Sequence, residues 1–249
     1  SCDDCKSGRS NLCRRRQIIS MAPRQGAFAE RLAIPERNLI DVPDELTSAQ
    51  AALAEPLATG WHAVAIAERT CWKSLDACRV LVIGGGAIGM ASTLALRARG
   101  CSDILIAETN PLRRNNAARA EIGRVFNPLE SEVGGEGPID LVIDCVGSGQ
   151  TRSLASSAVC PGGAIIHVGL QDNEEGLDVR KITLQEIAVV GTYTYTMRDF
   201  DETLAAMASG ALGPLDWFEE RSLADGAAAF ADLIEGRTGA AKIILCPEN

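Results

Sequence analysis

The sequence is poor in histidine, and this limits the metal sites that it can form. Its only histidines are His62 and His167, both far along the chain from the opening segment SCDDCKSGRSNLC. That segment offers three thiols, Cys2, Cys5 and Cys13, whereas a structural zinc site is closed by four protein ligands. Either the three thiols stand together by coincidence, or a fourth ligand precedes them in a longer protein. The absence of an initiator Met favours the second interpretation.

Excess positive charge is also lacking. With 24 Lys and Arg against 33 Asp and Glu the net charge is −9, which argues against nucleic acid as a partner because phosphate binding requires a basic surface. No apolar run approaches the ~20 residues that cross a bilayer, so no membrane partner is expected. No secretory signal is present, and nine cysteines in 249 residues fit a reducing compartment better than a disulfide framework. We therefore expect a cytoplasmic protein.

The middle of the chain alternates short apolar runs with helical patterns. The runs are expected to form strands at residues 79–83, 103–107, 124–126, 139–144, 164–169 and 187–191. They are continuously apolar, which is typical of parallel strands covered by helices on both faces. The sequence therefore predicts an α/β fold with a doubly wound, parallel, six-stranded sheet. Residues 129–138 are too short and too rich in glycine for a full crossover helix, so we expect a loop or a single turn there.

The two flanks of this region differ from it in pattern. Residues 14–47 indicate short strands and turns, with 26–35 as the clearest strand. From Met197 onward, two helical patterns precede a closing strand at 240–247. Neither flank is long enough to fold alone, so we expect both to pack together as a partial, mostly β second domain. The expected segments are 1–57, 58–196 and 197–249.

The glycine-rich segment VLVIGGGAIGMAS carries the strongest functional signal. Gly84, Gly86 and Gly89 form a G-x-G-x-x-G motif directly after a strand and at the start of a helix. In that context the first glycine permits a tight turn, the second lets the backbone approach a pyrophosphate, and the third lets helix and strand pack closely. Glu108 ends the next strand 19 residues after Gly89, where an acid accepts hydrogen bonds from an adenosine ribose. The motif therefore predicts a dinucleotide site.

An acid at that position also repels a 2'-phosphate, so the sequence favours NAD over NADP. Arg113 and Arg114 leave NADP open, because an arginine just beyond the acid can receive that phosphate. Methyltransferases that use S-adenosylmethionine usually have tighter glycine spacing, and FAD proteins have the same triplet near the start of the fold, so both fit less well. A purely structural role for the glycines, with Glu108 as a surface residue, is also disfavoured by the combined context.

Several segments occur in an order that resembles a known family. They are the opening cysteine segment, AEPLATGWHAV at 54–64, GGGAIG at 84–89, DCVG at 144–147, HVGL at 167–170 and the closing AAKIILCP. Over essentially its whole length the chain resembles the zinc-containing medium-chain alcohol and polyol dehydrogenases. The Glu-Pro of Glu55 and Pro56 is shared with their sorbitol and threonine dehydrogenase-like branch. The resemblance implies that the doubly wound sheet is a Rossmann domain.

The resemblance assigns the cysteines to a zinc lobe. The family pattern is C-x2-C-x2-C-x7-C, and Cys2, Cys5 and Cys13 match its second, third and fourth positions. The first position would precede this chain, as would the Cys and the His-Glu pair of the family's catalytic zinc. Glu55 matches a third ligand or near-ligand of that catalytic zinc. We therefore expect an N-terminally truncated dehydrogenase that binds NAD and has little or no activity by itself.

The resemblance also assigns residues around the cofactor. It implies backbone amides of Ala87 and Ile88 at the pyrophosphate, Val146 and Gly147 along the adenosine side, and Val168, Gly169 and Leu170 at the nicotinamide amide. Tyr193 and Thr194 match a stretch near the nicotinamide and the substrate. Sorbitol enzymes carry Arg at the position of Thr194, so sorbitol itself is not expected as the substrate. The segment GTYTYT matches a family strand that pairs across a two-fold axis, which implies a homodimer or a dimer of dimers.

These features predict an oxidoreductase that transfers hydride between NAD and a secondary alcohol or polyol, with zinc assisting in the complete protein. Two alternatives stay open. One is a non-catalytic NAD-binding module for sensing or assembly, and the other is a zinc-independent quinone-type reductase, although the nearest relatives of that class lack the cysteine lobe. Metal analysis and cofactor titration distinguish the dehydrogenase from the module.

Overall fold

The computed structural model describes residues 2–131 and 137–247, and its main element is a parallel sheet. Its six strands are β1 (Arg79–Ile83), β2 (Asp103–Ala107), β3 (Arg124–Phe126), β4 (Ile139–Asp144), β5 (Val159–His167) and β6 (Ala188–Gly191). Their spatial order is β3-β2-β1-β4-β5-β6, and every neighbouring pair is parallel. After β3 the chain crosses to the other side of β1, so β1 and β4 lie side by side at the topological switch point. Ligands of doubly wound sheets bind beyond the carboxyl ends of the strands at that point.

The predicted α/β fold is confirmed, and the first four predicted strands have the predicted boundaries. The fifth strand begins earlier than predicted, at Val159 instead of residue 164. It therefore contains Pro161, Gly162 and Gly163, and the pairing register between β4 and β5 shifts in that region, between Ile139 and Leu141. Proline and glycine tolerate such an irregularity, so the strand continues through three residues that usually interrupt one.

Nine α-helices lie in the described part of the chain. They are α1 (Asp3–Lys6), α2 (Ser48–Ala51), α3 (Ala54–Thr70), α4 (Ala87–Ala98), α5 (Pro111–Arg119), α6 (Gly149–Ala158), α7 (Val179–Leu184), α8 (Met197–Ala208) and α9 (Gly226–Ile234). Asn110 caps α5 by accepting hydrogen bonds from two backbone amides, with Pro111 at the first helical position. None of these helices combines the length and the apolarity needed to cross a membrane.

Both faces of the sheet are buried, as continuously apolar strands require. Val80 and Val82 of β1 point into a large cluster that also contains residues of α3, α4 and α8. Leu81 and Ile83 point the other way, into a smaller cluster with Ala155 of α6. The alternation of β1 between two apolar clusters explains why its sequence is apolar at every position after Arg79.

Helix α3 crosses α4 at close range, and Gly60 makes this possible. A Cβ on Gly60 would lie 2.6 Å from the backbone carbon of Ala91, closer than real side chains approach. The same helix packs against α8, where Trp61 donates a hydrogen bond to Glu202 and His62 pairs with Asp199. Helix α3 is therefore packed on two sides, and this packing fixes the position of the first turn, which carries Glu55.

The predicted strands in residues 14–47 are wrong. This segment, all of it described, contains turns, bends and one short 3₁₀ helix at Glu36–Asn38. Phe28, within the predicted strand 26–35, has 68% of its surface exposed. A strand needs a partner for its backbone groups, and no strand among the described residues pairs with this segment. Half of the predicted loop at 129–138, residues 132–136, lies outside the described residues.

After β6 the chain forms α8, then β7 (Phe218–Ser222), α9 and β8 (Lys242–Cys246). The two helices and the closing strand were predicted, whereas β7 was not. Strands β7 and β8 pair in parallel as a separate two-stranded sheet. Helix α8 contributes Leu204 and Met207 to the same core cluster as β1. The division of the chain into three segments stays a prediction.

Candidate functional site

The glycine motif forms a tight turn between β1 and α4. Gly84 has φ of +101°, a conformation that other residues rarely adopt, and its amide donates to the Ala107 carbonyl at 2.8 Å. Gly86 is the N-cap of α4, so the amides of Ala87 and Ile88 belong to the first turn, where no intrahelical acceptor exists. A Cβ on Gly89 would lie 1.8 Å from the Gly84 carbonyl oxygen. The turn therefore presents unpaired amides and requires glycine at its third position.

Glu108 lies directly beside this turn. Its Oε2 accepts a hydrogen bond of 2.7 Å from the Gly85 amide, and its Oε1 accepts one of 2.7 Å from the Asn110 amide. The residue is only 6% exposed. Because both oxygens are anchored to backbone, the carboxylate keeps one position, and its remaining lone pairs are available for other donors.

The two arginines beyond Glu108 are bound to backbone carbonyls. Arg113 donates through Nη2 to Leu233 at 3.1 Å, which ties α5 to α9. Arg114 donates through Nη1 to Glu108 and Thr109, at 3.1 and 2.5 Å. Asn110 adds a third tie, to the carbonyl of Gly236. These guanidinium groups therefore have protein partners next to the acid.

Asp144 organises the loop after β4 and was not predicted as a site residue. Its carboxylate is fully buried; Oδ1 accepts hydrogen bonds from the amides of Val146 and Gly147, at 3.0 and 2.9 Å, and Oδ2 accepts one from the Thr151 hydroxyl at 3.0 Å. The Nδ1 atom of His167, on the neighbouring strand, lies 3.3 Å from Oδ2. The available signal was an acid at the end of a buried strand.

The loops after β4 and β5 touch backbone to backbone. Gly147 has φ of +74°, and a Cβ there would lie 2.1 Å from the Gly169 carbonyl carbon. A Cβ on Gly169 would likewise lie 2.1 Å from that of Val146. The structure thus brings Val146 and Gly147 next to Val168, Gly169 and the exposed Leu170, as one continuous edge.

The segment after β6 completes this edge. The Thr192 amide donates to the His167 carbonyl at 3.0 Å, so Tyr193 and Thr194 follow beside the β5 loop. Thr194 has φ of +47°, which is uncommon for a β-branched residue. Arg16 stacks over the Tyr193 ring, with its guanidinium carbon 4.8 Å from the ring centroid.

Tyr195, one residue further, contacts Glu55 and was also missed. The two side chains form a hydrogen bond, and burial together with the Glu55 charge and this bond raises the pKa of Tyr195 to about 12. The protonated phenol therefore donates to the Glu55 carboxylate over the whole physiological range. Glu55 thus stands at the start of α3, opposite the segment that contains Thr194.

The three cysteines of the opening segment do come together. Cys2 Sγ lies 3.6 Å from Cys5 Sγ and 3.8 Å from Cys13 Sγ, and all three sulfurs lie within 4.8 Å of one another. Zinc–sulfur bonds of about 2.3 Å in a tetrahedron place sulfurs roughly 3.8 Å apart. Hydrogen bonds with the Cys5 backbone and then its thiol lower the pKa of Cys2 to about 7. The thiols therefore fit one zinc ion.

Glu55 is not part of such a group. Among the described residues, the cysteine trio is the only cluster of three or more Cys, His, Asp or Glu ligands close enough to share an ion. The two predicted kinds of metal ligand are therefore separate: the trio supplies a thiolate site, and Glu55 contributes one carboxylate with Tyr195 as its partner.

Comparison with known proteins identifies relatives over the full chain. Residues 87–209 match the family "Zinc-binding dehydrogenase". The chain is 28% identical to (R,R)-butanediol dehydrogenase of Saccharomyces cerevisiae, over 100% of this chain and 68% of that protein. It is 29% identical to sorbitol dehydrogenase of Bacillus subtilis, over 84% of this chain and 60% of that protein. The chain thus spans 68% and 60% of the length of these two relatives.

A solved structure has the same fold. Acetophenone reductase of Geotrichum candidum, in complex with NAD, superposes with a TM-score of 0.85 at 25% identity, over 96% of this chain and 68% of that one. The superposition, the matched family and the polyol dehydrogenases among the relatives agree with the resemblance read from the motifs. The chain belongs to the zinc-type medium-chain alcohol and polyol dehydrogenase family.

Proposed function

We propose that the chain is the NAD-binding part of a dehydrogenase that transfers hydride between NAD and a secondary alcohol or polyol. The observation that carries the proposal is the hydrogen bond between Glu108 and the Gly85 amide. It holds an acid against a glycine turn whose next amides open a helix, and doubly wound sheets bind a pyrophosphate and a ribose at such a pair. The names of the butanediol and sorbitol relatives support the substrate class.

The cofactor is NAD rather than NADP in this proposal. Glu108 is buried and anchored through both oxygens, so its negative charge cannot move away from an incoming 2'-phosphate. Arg113 and Arg114 already donate to backbone carbonyls. Receiving a phosphate would require them to leave those carbonyls, which costs free energy for each carbonyl left without a donor.

The residues of the carboxyl edge have separate roles in the proposal. Gly84, Gly86, Ala87, Ile88 and Gly89 receive the pyrophosphate. Val146 and Gly147 border the adenosine side, Val168, Gly169, Leu170 and Tyr193 border the nicotinamide, and Thr194 faces the substrate. The backbone contact between Gly147 and Gly169 supports this arrangement because it joins the two proposed halves of the cofactor site.

The proposed zinc sites differ in how much of each this chain supplies. Cys2, Cys5 and Cys13 hold a structural zinc, supported by their sulfur separations. Glu55 lies at the catalytic zinc, and Tyr195 keeps its carboxylate in place through their hydrogen bond. A bound catalytic zinc supplies Lewis acidity to the substrate oxygen. With Glu55 alone among the described residues, we expect no turnover from this chain by itself.

A non-catalytic NAD-binding module is the second candidate, and one observation favours it: Glu55 has no cluster of further ligands among the described residues. The two candidates predict different behaviour for the protein extended upstream. The dehydrogenase gains a second zinc and oxidises a vicinal diol with NAD, whereas the module binds NAD with no second metal and no turnover.

We also propose a dimer and a cytoplasmic location. The segment GTYTYT is strand only at Gly191, the last residue of β6, so the predicted pairing strand is wrong in its bounds. Strand β6 itself occupies the outer edge of the sheet, and an edge strand can pair with its copy across a two-fold axis. All nine cysteines are unpaired as thiols, which suits a reducing compartment. Light scattering after size-exclusion chromatography tests the dimer. A monomeric mass would contradict it.

Cofactor titration tests the central proposal. We expect NADH to quench the tryptophan fluorescence of the chain saturably and to bind at least about tenfold more tightly than NADPH, a difference of about 1.4 kcal/mol. Glu108→Gln, which removes the charge, should narrow that ratio, while Glu121→Gln, at an exposed position, should leave it unchanged. Equal affinity of the unaltered chain for both nucleotides would contradict the NAD assignment, and no binding of either would contradict the dinucleotide site.

A further inference from the structure

Arg152, on the first half of α6, joins the loops after β4 and β5. Its Nη1 donates to the carbonyls of Gly147 and Asp172, at 3.0 and 3.3 Å. Its Nη2 donates to Asp172 Oδ1 at 2.7 Å and to the Glu174 carbonyl. One guanidinium group therefore holds acceptors from both loops, and no other described side chain does so at this edge of the sheet.

Asp172 completes the connection from the other side. Its Oδ1 also accepts hydrogen bonds from the amides of Gly149 and Glu174, both at 3.0 Å. Partial burial pushes the pKa of Asp172 upward, but the hydrogen bonds from Arg152 and from the two amides outweigh it and hold the pKa below its usual range. The carboxylate is therefore charged at neutral pH.

The two loops run side by side between the β-strands and this ion pair. The amides of Val168 and Gly169 donate to the Asp144 carbonyl, at 2.9 and 3.0 Å. Further along, the amides of Gln171 and Asp172 donate to the carbonyls of Val146 and Gly147, both at 3.2 Å. The second pair of bonds is longer than the first, and Arg152 binds the two loops at that end.

The ion pair is not an ordinary surface contact. The Arg152 side chain is 11% exposed and that of Asp172 is 31% exposed. Gly149 and Gly176 pack backbone to backbone beside it, since a Cβ on Gly176 would lie 2.1 Å from the Gly149 carbonyl oxygen. The planar guanidinium serves four acceptors in fixed directions, which a lysine ammonium does not reproduce.

We propose that Arg152 and Asp172 are positioning residues for the nicotinamide half of the cofactor site. The inference rests on the proposed function, in which Val168, Gly169 and Leu170 border the nicotinamide. The pair touches no cofactor in this proposal; it fixes the second loop relative to the first. The glycine turn and Glu108, which serve the ADP half, make their contacts without this pair. Losing the pair therefore weakens the nicotinamide half more than the ADP half, because the glycine turn and Glu108 keep their contacts although the Gly147 carbonyl loses one donor.

Titration with two ligands tests this inference. NADH carries the nicotinamide, whereas ADP-ribose carries only the ADP half and a ribose. We expect Arg152→Lys and Asp172→Asn to weaken NADH binding by about tenfold and to leave ADP-ribose binding within about twofold. Arg198→Gln is the control, because Arg198 also forms an ion pair, with Glu202, but is 87% exposed; it should change neither affinity.

Thermal unfolding of each variant separates positioning from general destabilisation. A lower unfolding temperature with an unchanged ratio of the two affinities would overturn the inference, as would an equal loss for both ligands. Arg152→Lys keeps the charge and Asp172→Asn keeps an oxygen acceptor, so both variants are expected to fold. If the unaltered chain binds neither ligand, the dinucleotide site itself is refuted; if it binds both and the variants behave like it, only the positioning role is refuted.

Discussion

Asn11 donates a hydrogen bond of 2.8 Å from its side-chain amide to the backbone carbonyl of Tyr193, 182 residues further along the chain. The bond links the cysteine lobe to the segment after β6, and the contact of Arg16 with the Tyr193 ring strengthens the same junction. Asn11 lies between Cys5 and Cys13, so an ion held by the thiols fixes the backbone that carries it. The lobe is thereby connected to the edge of the sheet where the nicotinamide is proposed to bind.

Zinc should therefore stabilise the folded chain. An ion that binds only the folded state adds about 2.7 kcal/mol to the free energy of unfolding at a free concentration 100 times its dissociation constant. We expect zinc to raise the unfolding temperature, and Cys13→Ser to abolish this effect. Cys246→Ser is the matched control, because Cys246 is an exposed cysteine at the end of β8. Equal responses of the two variants to zinc would exclude the cysteine trio as the site.

Substitution of two glycines in the same motif should separate folding from binding. Gly89→Ala places a Cβ 1.8 Å from the Gly84 carbonyl oxygen, so the turn must shift, and we expect a loss of about 1–3 kcal/mol in the free energy of unfolding. Gly86 has no atom within 4 Å of an added Cβ and extended backbone angles. Gly86→Ala should therefore unfold within about 0.5 kcal/mol of the unaltered chain.

The binding result should be different for Gly86→Ala. Its methyl group would stand at the position where the backbone is expected to approach the pyrophosphate, so NADH affinity should fall although the fold is intact. Urea unfolding and NADH titration of both variants measure the two effects. Unchanged NADH affinity of Gly86→Ala would contradict the proposed binding of the pyrophosphate at this turn.

The sequence was most informative where one structural requirement dominates. A strand buried on both faces, such as β1 after Arg79, must be apolar at its buried positions, so its boundaries could be read directly. The glycine turn could also be predicted, because the backbone geometry at Gly84 and Gly89 excludes other residues. Residues 26–35 were predicted wrongly because a short apolar segment forms a strand only if a partner strand lies beside it, and the segment itself carries no information about partners.

The site residues that were missed share a different cause. Asp144, Arg152 and Tyr195 act through contacts with residues of other elements: His167 for Asp144, Asp172 for Arg152 and Glu55 for Tyr195. The spacing of residues within one segment cannot predict such a contact with another element. Asp144 alone carried a signal in its own segment, because an acid that ends a fully buried strand needs backbone donors or a charged partner.

The pair of His62 and Asp199 between α3 and α8 should make stability depend on acidic pH. The His62 Nδ1 atom lies 2.8 Å from Asp199 Oδ2, and both side chains are 12% exposed. Burial pushes the pKa of Asp199 upward, but hydrogen bonds from His62 and Thr196 outweigh it and lower the pKa to about 2, from an ordinary 3.8. Folding therefore favours the charged carboxylate.

The direction of the pH effect follows from this lowered pKa. The contribution of Asp199 is fully present above pH of about 4 and is lost as the pH falls toward about 2, because the unfolded chain takes up the proton first. A difference of 1.8 pKa units (3.8 minus 2) corresponds to about 2 kcal/mol. Urea unfolding at several pH values should show Asp199→Asn less stable than the unaltered chain at pH of about 5, with the gap closing toward pH of about 2. Asp201→Asn, at an exposed position on the same helix, should show no such closing gap; a constant gap for Asp199→Asn would mean that the carboxylate contributes through its shape and not through its charge.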